Sequence, residues 1–169
     1  YSDRLTAGEV AALHQRLFSK LGEGARSVAS FQRDCDPDRR LKLGILAADF
    51  HHQHPVNIFM QPVLARLSKE RFETVIYYSG VSFDDQTQRA QRRVDYWVQA
   101  QGWSDQQLAQ RIERDQIDLV LDLSGHTNHN RMHLLARRVA PVQVSFLAYP
   151  HSTGVPNIDW MLGDDVVMP

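Results

Sequence analysis

The pattern of apolar and polar positions divides the chain near residue 41. Before that point, Thr6-Ala7-Gly8-Glu9 has the form of a helix capping box, Thr6 as N-cap and Glu9 reaching back to its amide. Val10, Leu13, Leu17 and Leu21 follow at helical spacing and predict one apolar stripe. A polar stretch from Gln32 to Arg40, broken by Pro37, reads as a linker. Beyond it, short apolar runs alternate with amphipathic segments. Strands are expected at 41–47, 72–79, 96–98, 117–123, 142–147 and 159–162, where apolar, aromatic and β-branched residues gather. Helices are expected between them. One spans Asn57 to Lys69 with Ile58, Val63, Leu64 and Leu67 facing inward. A second spans Thr87 to Val94, with Arg89, Arg92 and Arg93 as a solvated face. A third is capped by Ser104 with Gln107 at N3 and runs through Leu108 and Ile112. A fourth spans Met132 to Arg138. Strands separated by helices require crossovers on both sides of a sheet. The fold class is therefore α/β, a Rossmann-like parallel sheet with helices on both faces. Residues 1–40 form a helix and linker, and residues 41–169 form the lobe.

Composition narrows the picture. A chain of 169 residues with 43% hydrophobic and 23% charged residues is long enough for one globular core. Lys and Arg number 19 against 20 Asp and Glu, for a net charge of -1. That balance argues against nucleic acid or an anionic membrane surface as the main partner. The single Cys35 excludes an intramolecular disulfide and fits a reducing compartment, so a cytoplasmic location is expected. No apolar run approaches the roughly 18 to 20 residues that cross a bilayer. The chain starts at Tyr1 without Met or a leader pattern and ends at Met168-Pro169, so it is expected to be part of something longer.

In an open parallel sheet, ligands bind beyond the carboxyl ends of the strands. After the first strand comes Asp49-Phe50-His51-His52-Gln53-His54-Pro55. After the 117–123 strand comes Ser124-Gly125-His126-Thr127-Asn128, and after the 142–147 strand comes Ala148-Tyr149-Pro150-His151-Ser152-Thr153-Gly154. Topology should bring His54, His126 and His151 to one edge, with Pro55 restricting the backbone of His54. A lone loop histidine is more often a solvated side chain; three at strand ends carry more weight. Metal binding is disfavoured. His51, His52 and His54 are close in sequence, and His129 and His133 stand four apart on an expected helix, but no Cys or acidic partner completes an H-E-x-x-H pattern. Ser124-Gly125-His126 is not a nucleophile elbow, Cys35 has no nearby base, and no G-x-G-x-x-G follows the first strand.

The loops carry a resemblance. Leu43 to Phe50 followed by His54-Pro55 is similar to a strand plus S-D-F-x-x-H-P motif. "IDLVLDLSGHT" (117–127), "ARRVAPVQVSFLAY" (136–149) and "PHSTGVPNIDWMLGD" (150–164) match further segments in order. Together they resemble the first catalytic lobe of the O-linked N-acetylglucosamine transferase family, glycosyltransferase family 41, in its bacterial form. The resemblance covers residues 41–164, and the opening helix resembles the segment before that lobe. It implies a GT-B architecture of two Rossmann-like lobes behind tetratricopeptide repeats. It also implies an inverting, metal-independent transfer of N-acetylglucosamine from UDP-GlcNAc to a Ser or Thr hydroxyl of a protein or peptide. No cofactor is implied. By position, His54 would approach the acceptor and the sugar phosphate, and Asp49 would orient that loop. Pro55, Leu147, Tyr149, Pro150, His151, Ser152 and Thr153 would border the substrate, with His126 and Thr127 in a nearby turn. The spacing from Asp49 to His54 is one residue longer than the family's, which makes His52 a second candidate for the position of His54. His151 stands where the family has glycine. The second, nucleotide-binding lobe and the family's earlier histidine motif are not in the chain, so this lobe alone is expected to be inactive. Two other readings stay open: a non-catalytic binding or scaffold lobe, and a transferase for another nucleotide sugar or an Asn acceptor.

Overall fold

The structure, a computed structural model, describes residues 4–21, 23, 31–34 and 36–165. Cys35 lies outside the described residues. The elements in chain order are α1 (Ala7–Phe18), β1 (Leu41–Ala47), α2 (Pro55–Arg66), β2 (Phe72–Tyr78), α3 (Asp85–Gln91) and β3 (Tyr96–Gln99). They continue with α4 (Asp105–Asp115), β4 (Leu119–Asp122), α5 (Met132–Leu135), β5 (Val142–Phe146) and β6 (Trp160–Leu162). The strands form one sheet in the order β3-β2-β1-β4-β5-β6, and every neighbouring pair is parallel. The chain thus winds outward from β1 to β3, returns to the other side of β1, and winds outward again to β6. This is the doubly wound order, with its switch between β1 and β4.

Alternation along the central strands sends residues to two cores. Leu43, Ile45 and Ala47 of β1 and Ile76 and Tyr78 of β2 meet Val56, Met60 and Leu64 of α2 and Ala90 of α3. Leu46, Val75, Tyr77 and Val120 face the other way, against Leu108 and Ile112 of α4 and Met132 and Leu135 of α5. Burial on both faces explains why β1 and β2 read as continuous apolar runs. No helix among the described residues is long and apolar enough to cross a membrane.

The caps of α1 and α4 form as the sequence predicts, with reciprocal bonds between Thr6 and Glu9 and between Ser104 and Gln107. The phase of two helices differs from expectation. Ile58 and Val63 of α2 are exposed, while Asn57 and Gln61 are buried. Gln61 Nε2 donates to Asn57 Oδ1 (2.8 Å) and to the Gln86 carbonyl (3.0 Å), and Arg93 Nη1 donates to Gln61 Oε1 (2.7 Å). A buried amide whose donors and acceptor are all used costs little, so packing against α3 overrides the apolar count. The same bonds remove Arg93 from the expected solvated face. On α1, Leu21 packs on the core as predicted and Val10 and Leu13 are half-buried, but Leu17 is exposed and Phe18 packs on the core in its place. His129 lies in a turn before α5, so His129 and His133 do not share a helix.

Buried polar groups fix the β5 end of the sheet. Gln143 is fully buried; its Nε2 donates to the carbonyls of Leu135 (2.8 Å) and Asn157 (2.6 Å), and its Oε1 accepts from the Val139 amide (2.9 Å). Replacing it with Leu takes these partners from the Val139 amide and the Asn157 carbonyl, and leaves the Leu135 carbonyl only the Arg138 amide (3.1 Å). Gln143→Leu should therefore lower unfolding free energy by about 3 kcal/mol, measured by urea denaturation. A loss below about 0.5 kcal/mol would refute this account.

Candidate active site at the carboxyl edge

Because all six strands run the same way, their carboxyl ends form one edge. Three successive neighbours there, β1, β4 and β5, deliver the loops 48–54, 123–131 and 147–159. The sequence-predicted residues therefore share one rim, but they gather there in two separate groups.

The first group follows β1. His54 is the N-cap of α2, and its Nδ1 accepts the Val56 amide at 3.3 Å. Pro55 is the first residue of that helix, where its missing amide costs nothing. His54 Nε2 and His51 Nε2 each stand 3.8 Å from Asp49 Oδ1, and the two rings are 5.0 Å apart. The partners on the far nitrogens assign the tautomers. An Nδ1 that accepts an amide leaves the proton of a neutral His54 on Nε2. His51 Nδ1 faces the His52 carbonyl at 3.3 Å and must donate, so a neutral His51 carries its lone pair on Nε2. Asp49, His51 and His54 have ligand atoms within 4.8 Å of one another, close enough for a metal ion. The hydrogen bond to His54 Nδ1 opposes that use, because its Nε2 then presents a proton rather than a lone pair. His52 is exposed, and its amide donates to Asp84 Oδ2 (2.7 Å) at the N-cap of α3. Gln53 takes a positive φ of 60°. The extra residue in the loop is accommodated by that turn, and His54, not His52, faces Asp49.

The second group lies over β4 and β5. His126 Nε2 is 2.7 Å from the Thr153 carbonyl, and its ring stacks on Phe18 of α1 at 3.8 Å. Tyr149 Oη meets His14 Nε2 at 3.0 Å, and the His151 ring lies 5.8 Å from that of His14. Thr127 closes the Ser124 turn through its amide and hydroxyl. Thr153 is buried, Ser152 and Pro150 are exposed, and His151 is half-buried. Leu147 holds φ at 83°, a conformation costing a branched residue about 1–3 kcal/mol. A Cβ on Gly154 would collide with the His14 carbonyl, so α1 docks backbone to backbone on this loop. Sequence patterns do not reveal His14 and Phe18, since a histidine beside an apolar stripe carries no signal of its own. A concavity of about 660 Å³ lies between α1 and residues 152–161. Asp49, His51 and His54 are each partly exposed at the rim.

Asp122 supports the middle turn, a role that its place in an apolar strand does not announce. It is fully buried at the end of β4, where Oδ1 accepts the Ser124 amide (3.2 Å) and Oδ2 the Gly125 amide (2.7 Å). Gly125 itself has φ of 53°, and a Cβ there would strike Tyr149. Burial pushes the Asp122 carboxyl up to about 7, although the two amides and Ser145 pull it down. A carboxyl raised above its unfolded value favours the folded state most when protonated. That contribution is full at low pH and is lost as pH rises toward and through about 7. The stability of the wild type relative to Asp122→Asn should therefore fall between pH 5 and pH 8. Guanidinium unfolding at both values checks the sign, and a difference that grows with pH would exclude it.

Comparison with known proteins agrees with this geometry. The family model "Glycosyl transferase family 41" matches residues 7–169. A Petunia hybrida protein described as a probable UDP-N-acetylglucosamine–peptide N-acetylglucosaminyltransferase, SPINDLY, is 32% identical over 144 residues. These are 83% of this chain and 15% of that protein. The Arabidopsis thaliana relative SEC, described in the same way, is 31% identical over 134 residues, 78% of this chain and 13% of its own length. Among solved structures, a mutant O-GlcNAc transferase from Thermobaculum terrenum superposes with a TM-score of 0.92 at 30% identity. The match covers all of this chain and 32% of that one. The sheet order, the rim loops and the matched sequence agree: the chain belongs to glycosyl transferase family 41.

Proposed function

We propose that this chain is the first catalytic lobe of a two-lobed protein glycosyltransferase. In this reading the parent moves N-acetylglucosamine from UDP-GlcNAc to a Ser or Thr hydroxyl, with inversion and without a metal. The observation that carries the proposal is the adjacency of β1, β4 and β5. It gathers Asp49–His54, the Ser124 turn and the Leu147–Thr153 loop at the switch-point crevice of a family 41 lobe. The chain spans about 15% of the curated SPINDLY relatives' length. The opposite wall, with most contacts to the uridine diphosphate, would come from a second lobe of the parent. Tetratricopeptide repeats would present the protein or peptide acceptor, in the cytoplasm.

Displacement at the anomeric carbon needs a positioned nucleophile and a stabilised leaving diphosphate. On this lobe, the Nε2 proton of His54 is aimed from the first turn of α2, beside the positive end of the helix dipole. Leu147, Tyr149 and Pro150 would form the ledge under the sugar. The full-length parent, offered a panel of labelled nucleotide sugars and a Ser/Thr peptide, should transfer N-acetylglucosamine. His54→Ala should lower kcat/KM at least ~100-fold. Unchanged turnover would remove His54 from the mechanism, and labelling by glucose or fucose alone would change the donor.

A further inference from the structure

The loop after β1 brings His51 Nε2 and His54 Nε2 to the same carboxylate oxygen, Asp49 Oδ1. Each histidine stands 3.8 Å from the carboxylate, too far for a direct hydrogen bond. Ligand atoms of the three residues lie within 4.8 Å of one another, close enough for a single oxygen between them to come within hydrogen-bond reach of all three residues. The tautomers define which oxygen fits. Asp49 and His51 offer lone pairs, and His54 offers a proton. A phosphate oxygen has no proton to give and would face two lone pairs. A hydroxyl satisfies the set, donating its proton to one acceptor while accepting from His54.

We propose that His51 is the group that takes the proton of the acceptor hydroxyl, with Asp49 as its counter-charge and His54 as the donor that holds the oxygen. This inference rests on the glycosyl transfer proposed for the parent and adds a residue to it. As the hydroxyl oxygen forms its bond to the anomeric carbon, the bond from that carbon to the diphosphate oxygen breaks. The bonding pair leaves with the nucleoside diphosphate, and the hydroxyl proton passes to His51 Nε2, giving an imidazolium beside Asp49. Imidazole titrates nearest to neutral pH among the ordinary side chains, which suits a base working there. Asp49 and His54 face His51 in its own loop, and Asp84, at the start of α3, accepts the neighbouring His52 amide. Tyr78, in the core below, stays a neutral phenol. Burial first, then the charges of Asp49 and Asp84, push it up to about 12.

His51 lies half-exposed in a loop, so its replacement should spare the fold. In the intact transferase, His51→Gln should lower kcat at least ~100-fold and leave the KM for the nucleotide sugar little changed. It should also remove the acid limb from the pH profile of kcat. Imidazole in the buffer should restore part of the activity of His51→Ala, and His52→Gln, one residue away, should turn over as the wild type does. A His51→Gln enzyme with kcat within about twofold of the wild type would overturn the proposal. So would an unchanged pH profile. Histidine-selective ¹⁵N NMR reads the tautomers without turnover: His51 Nε2 should be unprotonated and His54 Nε2 protonated, and the reverse assignment would overturn it as well. A wild type that transfers no sugar at all would defeat the transferase reading, and the tautomer spectrum would still decide whether His51 carries the free lone pair.

Discussion

Parallel pairing throughout the sheet is the constraint on which the rest of the molecule depends. A parallel strand cannot be followed by a tight hairpin, so each strand must return along a face before the next begins. Right-handed return to alternate sides of β1 places α2 and α3 on one face and α4 and α5 on the other. The same rule sends every carboxyl end to one edge. Residues as distant in sequence as Asp49, Ser124 and Tyr149 therefore lie just past three successive neighbours, β1, β4 and β5. The crevice at the switch point is a consequence of winding, and the chemistry of the loops is laid on top of it.

Rigid polar and backbone contacts hold the rim loops in place. Asp122 collects two amides beneath the Ser124 turn, and Gly125 lets Tyr149 lie directly against that turn. Gly154 admits the backbone of α1, and α1 supplies His14 to Tyr149 and Phe18 to His126. On the other half of the edge, Arg131 ties Ser79, Ala100, Trp103 and Asp105 together through its guanidinium. Leu147, in the loop after β5, holds a positive-φ backbone that is strained for a branched side chain. Strain of this kind belongs where a surface must be presented in one shape.

The histidines of the rim divide by their partners. His126 is engaged by the Thr153 carbonyl and the Phe18 ring, which makes it a latch between loop and helix. His14 sits in the same latch. Burial, the largest effect, and the nearby His151 and His126 hold its pKa below the ordinary range. His51 and His54 are different, because each uses one nitrogen locally and leaves the other toward Asp49. Equal sequence signals thus acquire unequal roles once hydrogen-bond direction is considered.

The sequence alone determined the class of fold, the bounds of β1, and the capping boxes of α1 and α4. Those depend on local periodicity and on contacts three residues apart. It also named the loops of the rim, since the segment after each strand of a parallel sheet must lie at the carboxyl edge. The faces of α1 and α2 were decided by tertiary structure: Asn57 and Gln61 are buried because Gln86 and Arg93 satisfy them, and no local pattern records those partners. Tertiary structure also recruited His14, buried the Asp122 carboxyl, and turned Gln53 so that His54 rather than His52 meets Asp49. Each of these depends on groups that meet only when distant segments pack, and their energies are those of specific directions and distances rather than of residue type.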